Sequence, residues 1–133
     1  MCVFDPACLK HRLTDVFDWW CTPDSEIEEV NLGNVAFVGI GSDGAYSFGV
    51  VDKVACPQAK MNLHAPSGRI FLGAAEEVTA YGLEPAAIRG GTFVDVQPGG
   101  YTLFVSRIGT SLTVSFHPIS DSATNSFTKS VRV

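Results

Sequence analysis

The sequence predicts a mainly β fold: an antiparallel β-sandwich of about eight short strands behind a short N-terminal helix, in a single domain over residues 1–133. Three observations predict it. Residues 90–118 alternate with a period of two, Tyr101, Leu103 and Val105 against Thr102, Phe104 and Ser106, then Leu112, Val114 and Phe116 against Thr113, Ser115 and His117. That is the pattern of strands that bury one face. Turn residues recur at short intervals, with 13 Gly and 7 Pro in 133 residues, as strand-rich chains require. The chain has the length of one domain and is 46% apolar, enough to bury one core.

Each element follows from local chemistry. Asp5-Pro6 offers a side-chain N-cap and a proline for the first turn, and Cys8, Leu9, Leu13, Val16, Phe17 and Trp20 recur at helical spacing. A helix is therefore expected over residues 6–20, ended by Cys21-Thr22-Pro23-Asp24. The acidic run 23–29 reads as a loop or one helical turn. Residues 30–40 read as a strand, Ser42-Asp43-Gly44 as the turn of a hairpin, and Tyr46, Phe48 and Val50 as its return strand. Strands follow over 60–65, 69–73 and 78–81. A turn is expected over 82–85 and a single helical turn over 85–88. Residues 90–118 then supply three consecutive strands joined by tight turns, and 126–133 the last one. Only 120–126 is polar and small enough to read as disordered.

Charge is unevenly placed. Net charge is −5, yet residues 1–52 hold nine acids against Lys10 and Arg12, while the remainder is slightly basic. An acidic surface repels phosphate, which argues against nucleic acid as a partner, and attracts a basic protein. No run of about twenty apolar residues offers a membrane span. The first residues lack the basic and apolar regions of a secretory signal, so the expected compartment is the cytoplasm. The four cysteines, Cys2, Cys8, Cys21 and Cys56, show no C-x-x-C spacing and are expected to be reduced and mostly buried.

The sequence carries no complete catalytic or cofactor motif. Residues 39–44 match G-x-G-x-x-G after a strand, but the residues that follow, AYSFGVV, are strand-like, and a dinucleotide site needs a helix there to receive the phosphates. His11, His64 and His117 have no metal-ligand spacing. Glu76 and Glu77 are adjacent, so on a strand they point to opposite faces. No serine or cysteine stands in a nucleophile motif. The expectation is no enzyme, no metal and no cofactor. The most distinctive cluster is Asp15, Asp18, Trp19, Trp20, Asp24, Glu26, Glu28 and Glu29, aromatic residues ringed by acids, with Asp43 as a loop addition. Such a surface suits a partner bringing Arg and Lys, although large indoles also serve as core.

The strings GNVAFVGIGSDGAYSFGV, SGRIFLGAAEEVTAYGLEP and VDVQPGGYTLFVSR resemble small bacterial β-sandwich proteins. In layout they are similar to the competence nuclease inhibitor of bacilli and to immunity proteins of contact-dependent and type VI secretion toxins. The likeness covers about residues 33–118 and rests on structural motifs, so no family site residue maps onto this chain. It implies a cytoplasmic immunity protein, monomeric when free, that neutralises a cognate toxin, often a nuclease, by covering its basic active site. The alternatives are a small-ligand-binding or hydrolytic domain using His64, His117, Glu76 or Glu77, and a structural subunit associating through strand edges.

Overall fold

The computed structural model describes residues 1–15, 18–78 and 90–133. Among them the fold is mainly β, with nine strands in two sheets. The first sheet is ordered β6 (Thr92–Asp95), β5 (Arg69–Gly73), β1 (Cys2–Phe4), β2 (Ala36–Gly39), β9 (Val131–Arg132). The second is ordered β3 (Ser47–Val50), β8 (Ser111–Ile119), β7 (Gly99–Ile108), β4 (Ala59–Ala65). Both feed one apolar cluster, with Val3, Ile70 and Leu72 from the first sheet and Leu63, Leu103, Val105 and Val114 from the second.

The β7–β8 hairpin matches its sequence signal. Nine registered pairs run from Gly100↔Ile119 to Ile108↔Ser111, and Leu103, Val105, Leu112 and Val114 are buried. The third strand of that stretch, β6, pairs instead with β5 in the other sheet. Residues 96–98 therefore carry the chain from one sheet to the other.

The remaining departures have physical reasons. The expected hairpin around Ser42-Asp43-Gly44 does not form, because β2 and β3 belong to different sheets. Each has a parallel neighbour, β9 and β8 respectively, so the sheets are mixed rather than purely antiparallel. β1 was not expected. Cys2, Val3 and Phe4 are buried on both faces of the sheet, so the apolar run carries no alternation. One face carries the row Phe4↔Phe71↔Phe93, whose rings meet edge to face 5.3–5.6 Å apart.

The helix expected over 6–20 is instead two 3₁₀ segments, Pro6–Arg12 and Trp19–Cys21, and the α-helix α1 is Pro23–Asn31. Asp5 caps the first segment as expected, accepting from Ala7 N. Pro23 does hold Thr22 extended, but it also opens the next helix at its first turn. Val30 and Asn31 are thus helical rather than strand. α1 closes in a Schellman motif: Gly33 N donates to Val30 O and Asn34 N to Glu29 O. Gly33 has φ +74, and a Cβ there would lie 1.9 Å from Ala123 O, so only glycine fits.

Residues 120–126, expected to be disordered, are latched to the fold. Asn125 accepts from Asn62 N at 2.7 Å and donates to Val30 O at 2.7 Å, and Ala123 is fully buried. The last strand is confined to Val131–Arg132. The strand expected at 78–81 begins at Val78, which ends a 3₁₀ turn (Ala75–Val78); its remainder, the turn at 82–85 and the helical turn at 85–88 lie outside the described residues.

Candidate functional site

The acidic N-terminal segment folds into one corner, organised by two buried carboxylates. Asp5, fully buried, accepts from Ala7 N, Ser67 N and Ser67 Oγ, and so ties the first 3₁₀ turn to the β4–β5 connection. Glu29, on α1, is 1% exposed. Its Oε1 lies 2.7 Å from His11 Nε2 and accepts from Arg12 Nε at 2.8 Å, while Oε2 accepts from Asn34 Nδ2 at 2.8 Å. Burial alone would raise the pKa of this carboxyl. The bonds from His11, Asn34 and Arg12 outweigh that and leave it below its ordinary value. Arg12 also reaches Asp15 at 3.4 Å and Glu28 at 3.5 Å, and its guanidinium stands 5.0 Å from the Trp19 ring centre.

The sequence-predicted partner residues divide accordingly. Glu29 and Trp19 face inward; Trp19 packs edge to face on Phe37 at 6.1 Å. They build the corner and present nothing outward. Asp18, Asp24, Glu28 and Asp43 are exposed, and Asp15, Trp20 and Glu26 are half-buried. Asp24 and Glu26 occupy the first turn of α1, where a carboxylate favours the helix dipole. The indole N–H groups of Trp19 and Trp20 are buried without an acceptor among the described residues.

Trp20 and Glu26 form part of an open cleft of about 330 Å³. Phe37 and Val38 of β2 contribute to its wall, as do Ser130 and Arg132 on and beside β9. Gly41, two residues before the exposed Asp43, lines it too. The Asp43 loop is pinned by Arg107, which bonds Ile40 O and stands 5.4 Å from the Tyr46 ring centre. Arg12, Asn34 and Arg132 were missed from sequence. Arg12 stood next to the acidic run, but Asn34 and Arg132 reach the corner only through the Schellman turn and the parallel β2–β9 pairing, which leave no local signal.

None of His64, His117, Glu76 and Glu77 lines this cleft or a second one beside Tyr46 and Phe48. His117 Nε2 lies 3.2 Å from Ser115 Oγ, which is fully buried and accepts from Val54 N. His64 donates its backbone N–H to Gly33 O. Glu76 and Glu77 sit on the 3₁₀ turn Ala75–Val78 rather than on a strand. Among the described residues no group of three His, Cys, Asp or Glu could hold a metal, and no helix is long and apolar enough to cross a membrane. All four cysteines are free. Cys2 is buried and Cys8 half-buried, but Cys21 and Cys56 are exposed, against the expectation that most are buried. Burial, with Asp5 and Glu29 nearby, pushes the Cys8 thiol up to about 12, which favours the neutral thiol.

Over its whole length, residues 1–133, the chain matches DUF6386, a family of unknown function, and it belongs to that family. No curated protein and no solved structure matches it.

Proposed function

We propose that this chain is a non-catalytic binding protein that docks a basic protein through its acidic corner, in the manner of a cytoplasmic immunity protein covering the active site of a toxin such as a nuclease. On this reading the two sheets stack as a single β-sandwich domain, monomeric when free, whose role is to hold the corner rigid. The observation that carries it is that Asp18, Asp24, Glu28 and Asp43 are all exposed carboxylates, while Trp20 is half-buried at the open cleft. The Glu29–Arg12–His11 network beneath them fixes the helix that bears two of them. Opposite charge would speed encounter, and the indole would supply the apolar centre of the contact.

The test is capture of the cognate protein from the source organism at low and moderate salt, followed by assay of its activity with and without this chain. Expected is a basic enzyme, inhibited stoichiometrically. Reversing Asp18, Asp24 and Glu28 to Lys should slow association by about 10–100-fold at low salt, with less effect at high salt. Recovery of no such enzyme, or inhibition untouched by the triple reversal, would refute the reading.

A further inference from the structure

The cleft beside Trp20 has a polarity pattern that the partner reading does not use. Glu26 comes from the first turn of α1, Trp20 from the 3₁₀ turn before it, and Arg132 from β9, so three separate segments converge on one space. Arg132 is held there by register. It pairs with Gly39, and a Cβ at Gly39 would stand 3.1 Å from Arg132 Cγ, so the arginine stem lies across the bare glycine backbone. No ion pair joins Glu26 or Arg132 to each other or to another described residue. The lining also includes Trp20, Phe37 and Val38, and Met1, whose terminal amino group donates to Val38 O at 3.0 Å.

One carboxylate, one guanidinium and an aromatic wall complement a molecule with an ammonium, a carboxylate and an apolar body. A purely cationic ligand would meet Arg132, and a purely anionic one Glu26. The volume, about 330 Å³, is at the small end of ligand pockets and roughly the liquid volume of eleven waters. It suits one amino acid of about a dozen heavy atoms, and because the cleft is open a short peptide can extend out of it.

We propose that this cleft binds a small zwitterion, a free apolar amino acid or a short peptide of the same chemistry, with its ammonium on Glu26, its carboxylate on Arg132 and its side chain against Trp20. The guanidinium offers a two-pronged donor to the carboxylate, and Glu26 accepts from the ammonium. The site shares Trp20 with the partner reading but needs no second protein, so it is tested on this chain alone.

Ligand-observed NMR titration of the whole chain decides it, with four probes: L-phenylalanine, N-acetyl-L-phenylalanine (no cation), L-phenylalaninamide (no anion) and the dipeptide Phe-Phe. Expected is saturable binding of L-phenylalanine or the dipeptide with a dissociation constant on the order of 1 mM, and binding of both blocked analogues about tenfold weaker. Tighter binding of the dipeptide assigns the site to peptides, and of the amino acid to free amino acids. Glu26→Gln should weaken L-phenylalanine and its amide while sparing the N-acetyl form, and Arg132→Met should do the reverse. Both positions lie outside the core, and a thermal melt of each variant checks its folding. No saturation by any probe at about ten times that concentration, or binding indifferent to which end is blocked, overturns the proposal.

Discussion

The acidic corner around Glu29 and the β7–β8 hairpin are both ordered, but by different means. In the hairpin, Leu103, Val105, Leu112 and Val114 are buried by alternation, and their neighbours in space are neighbours in register. In the corner, Trp19 packs on Phe37, but the chain is also fixed by polar groups. Asp5 takes bonds from Ser67, and Glu29 from His11, Arg12 and Asn34. Apolar burial is non-directional, and its loss scales with the volume removed. A buried carboxylate contributes only while every partner is in place, and stranding those partners is costly. The hairpin should therefore respond to side-chain size and hardly to pH, and the corner's carboxylate network to charge state.

Variants can break that contrast. The largest effect is expected from Leu103→Ala, which opens a cavity between the sheets and should cost about 3–5 kcal/mol in urea unfolding, with little change in the pH profile. Glu29→Ala comes next, at about 2–3 kcal/mol, below the fully buried case because water reaches Arg12 and His11. Its cost should be partly recovered by also removing Arg12, whereas a fully additive double mutant would mean that the network holds nothing together.

The third expectation concerns pH. The folded-state pKa of Glu29 lies below its ordinary value of 4.5, so folding favours the ionised form. The stability it supplies is complete above the unfolded-state value and is lost as pH falls through the folded-state one. Melting temperature should therefore decline on acidification below about pH 4.5. Glu29→Ala should flatten that decline, while Leu103→Ala lowers the whole curve without reshaping it. Smallest is Glu28→Lys: Glu28 is exposed, and its contact with Arg12 is 3.5 Å, so stability should move by less than about 0.5 kcal/mol. A larger change would place Glu28 inside the corner's framework rather than on its outer surface.

The same contrast decides what could be read from the chain. The hairpin was legible residue by residue, because a period of two and Gly109-Thr110 suffice to specify it. β4 and β5 were legible as strands, but not that they lie in different sheets. That depends on Gly68 turning the chain at φ +75, where Val96 O stands 2.5 Å from where a Cβ would be. The acid cluster was legible as a cluster, but not its division. Glu28 and Glu29 are adjacent and chemically alike, and only the positions of Asn34 and Arg12 make one a surface group and the other a buried anchor. Trp19 and Trp20 divide in the same way, with Phe37 waiting across the corner for one of them. β1, three apolar residues with no alternation, left no mark separable from a helix lead.

The parallel pairing of β2 with β9 bears on the order in which the fold assembles. The hairpin closes through a two-residue turn, an event of microseconds. The last strand must instead find a neighbour laid down near the start of the chain, and the bond from Asn31 Nδ2 to Phe127 O, which fastens the same tail, spans 96 positions. Long closures are entropically slow, and chains dominated by them fold in milliseconds to seconds. The tail that supplies Arg132 should thus dock after the hairpin is formed and be the first part to detach. In hydrogen exchange, the amides of Val131 and Arg132 should show the lowest protection of any strand, and the cleft beside Trp20 should exist only once that final step is complete.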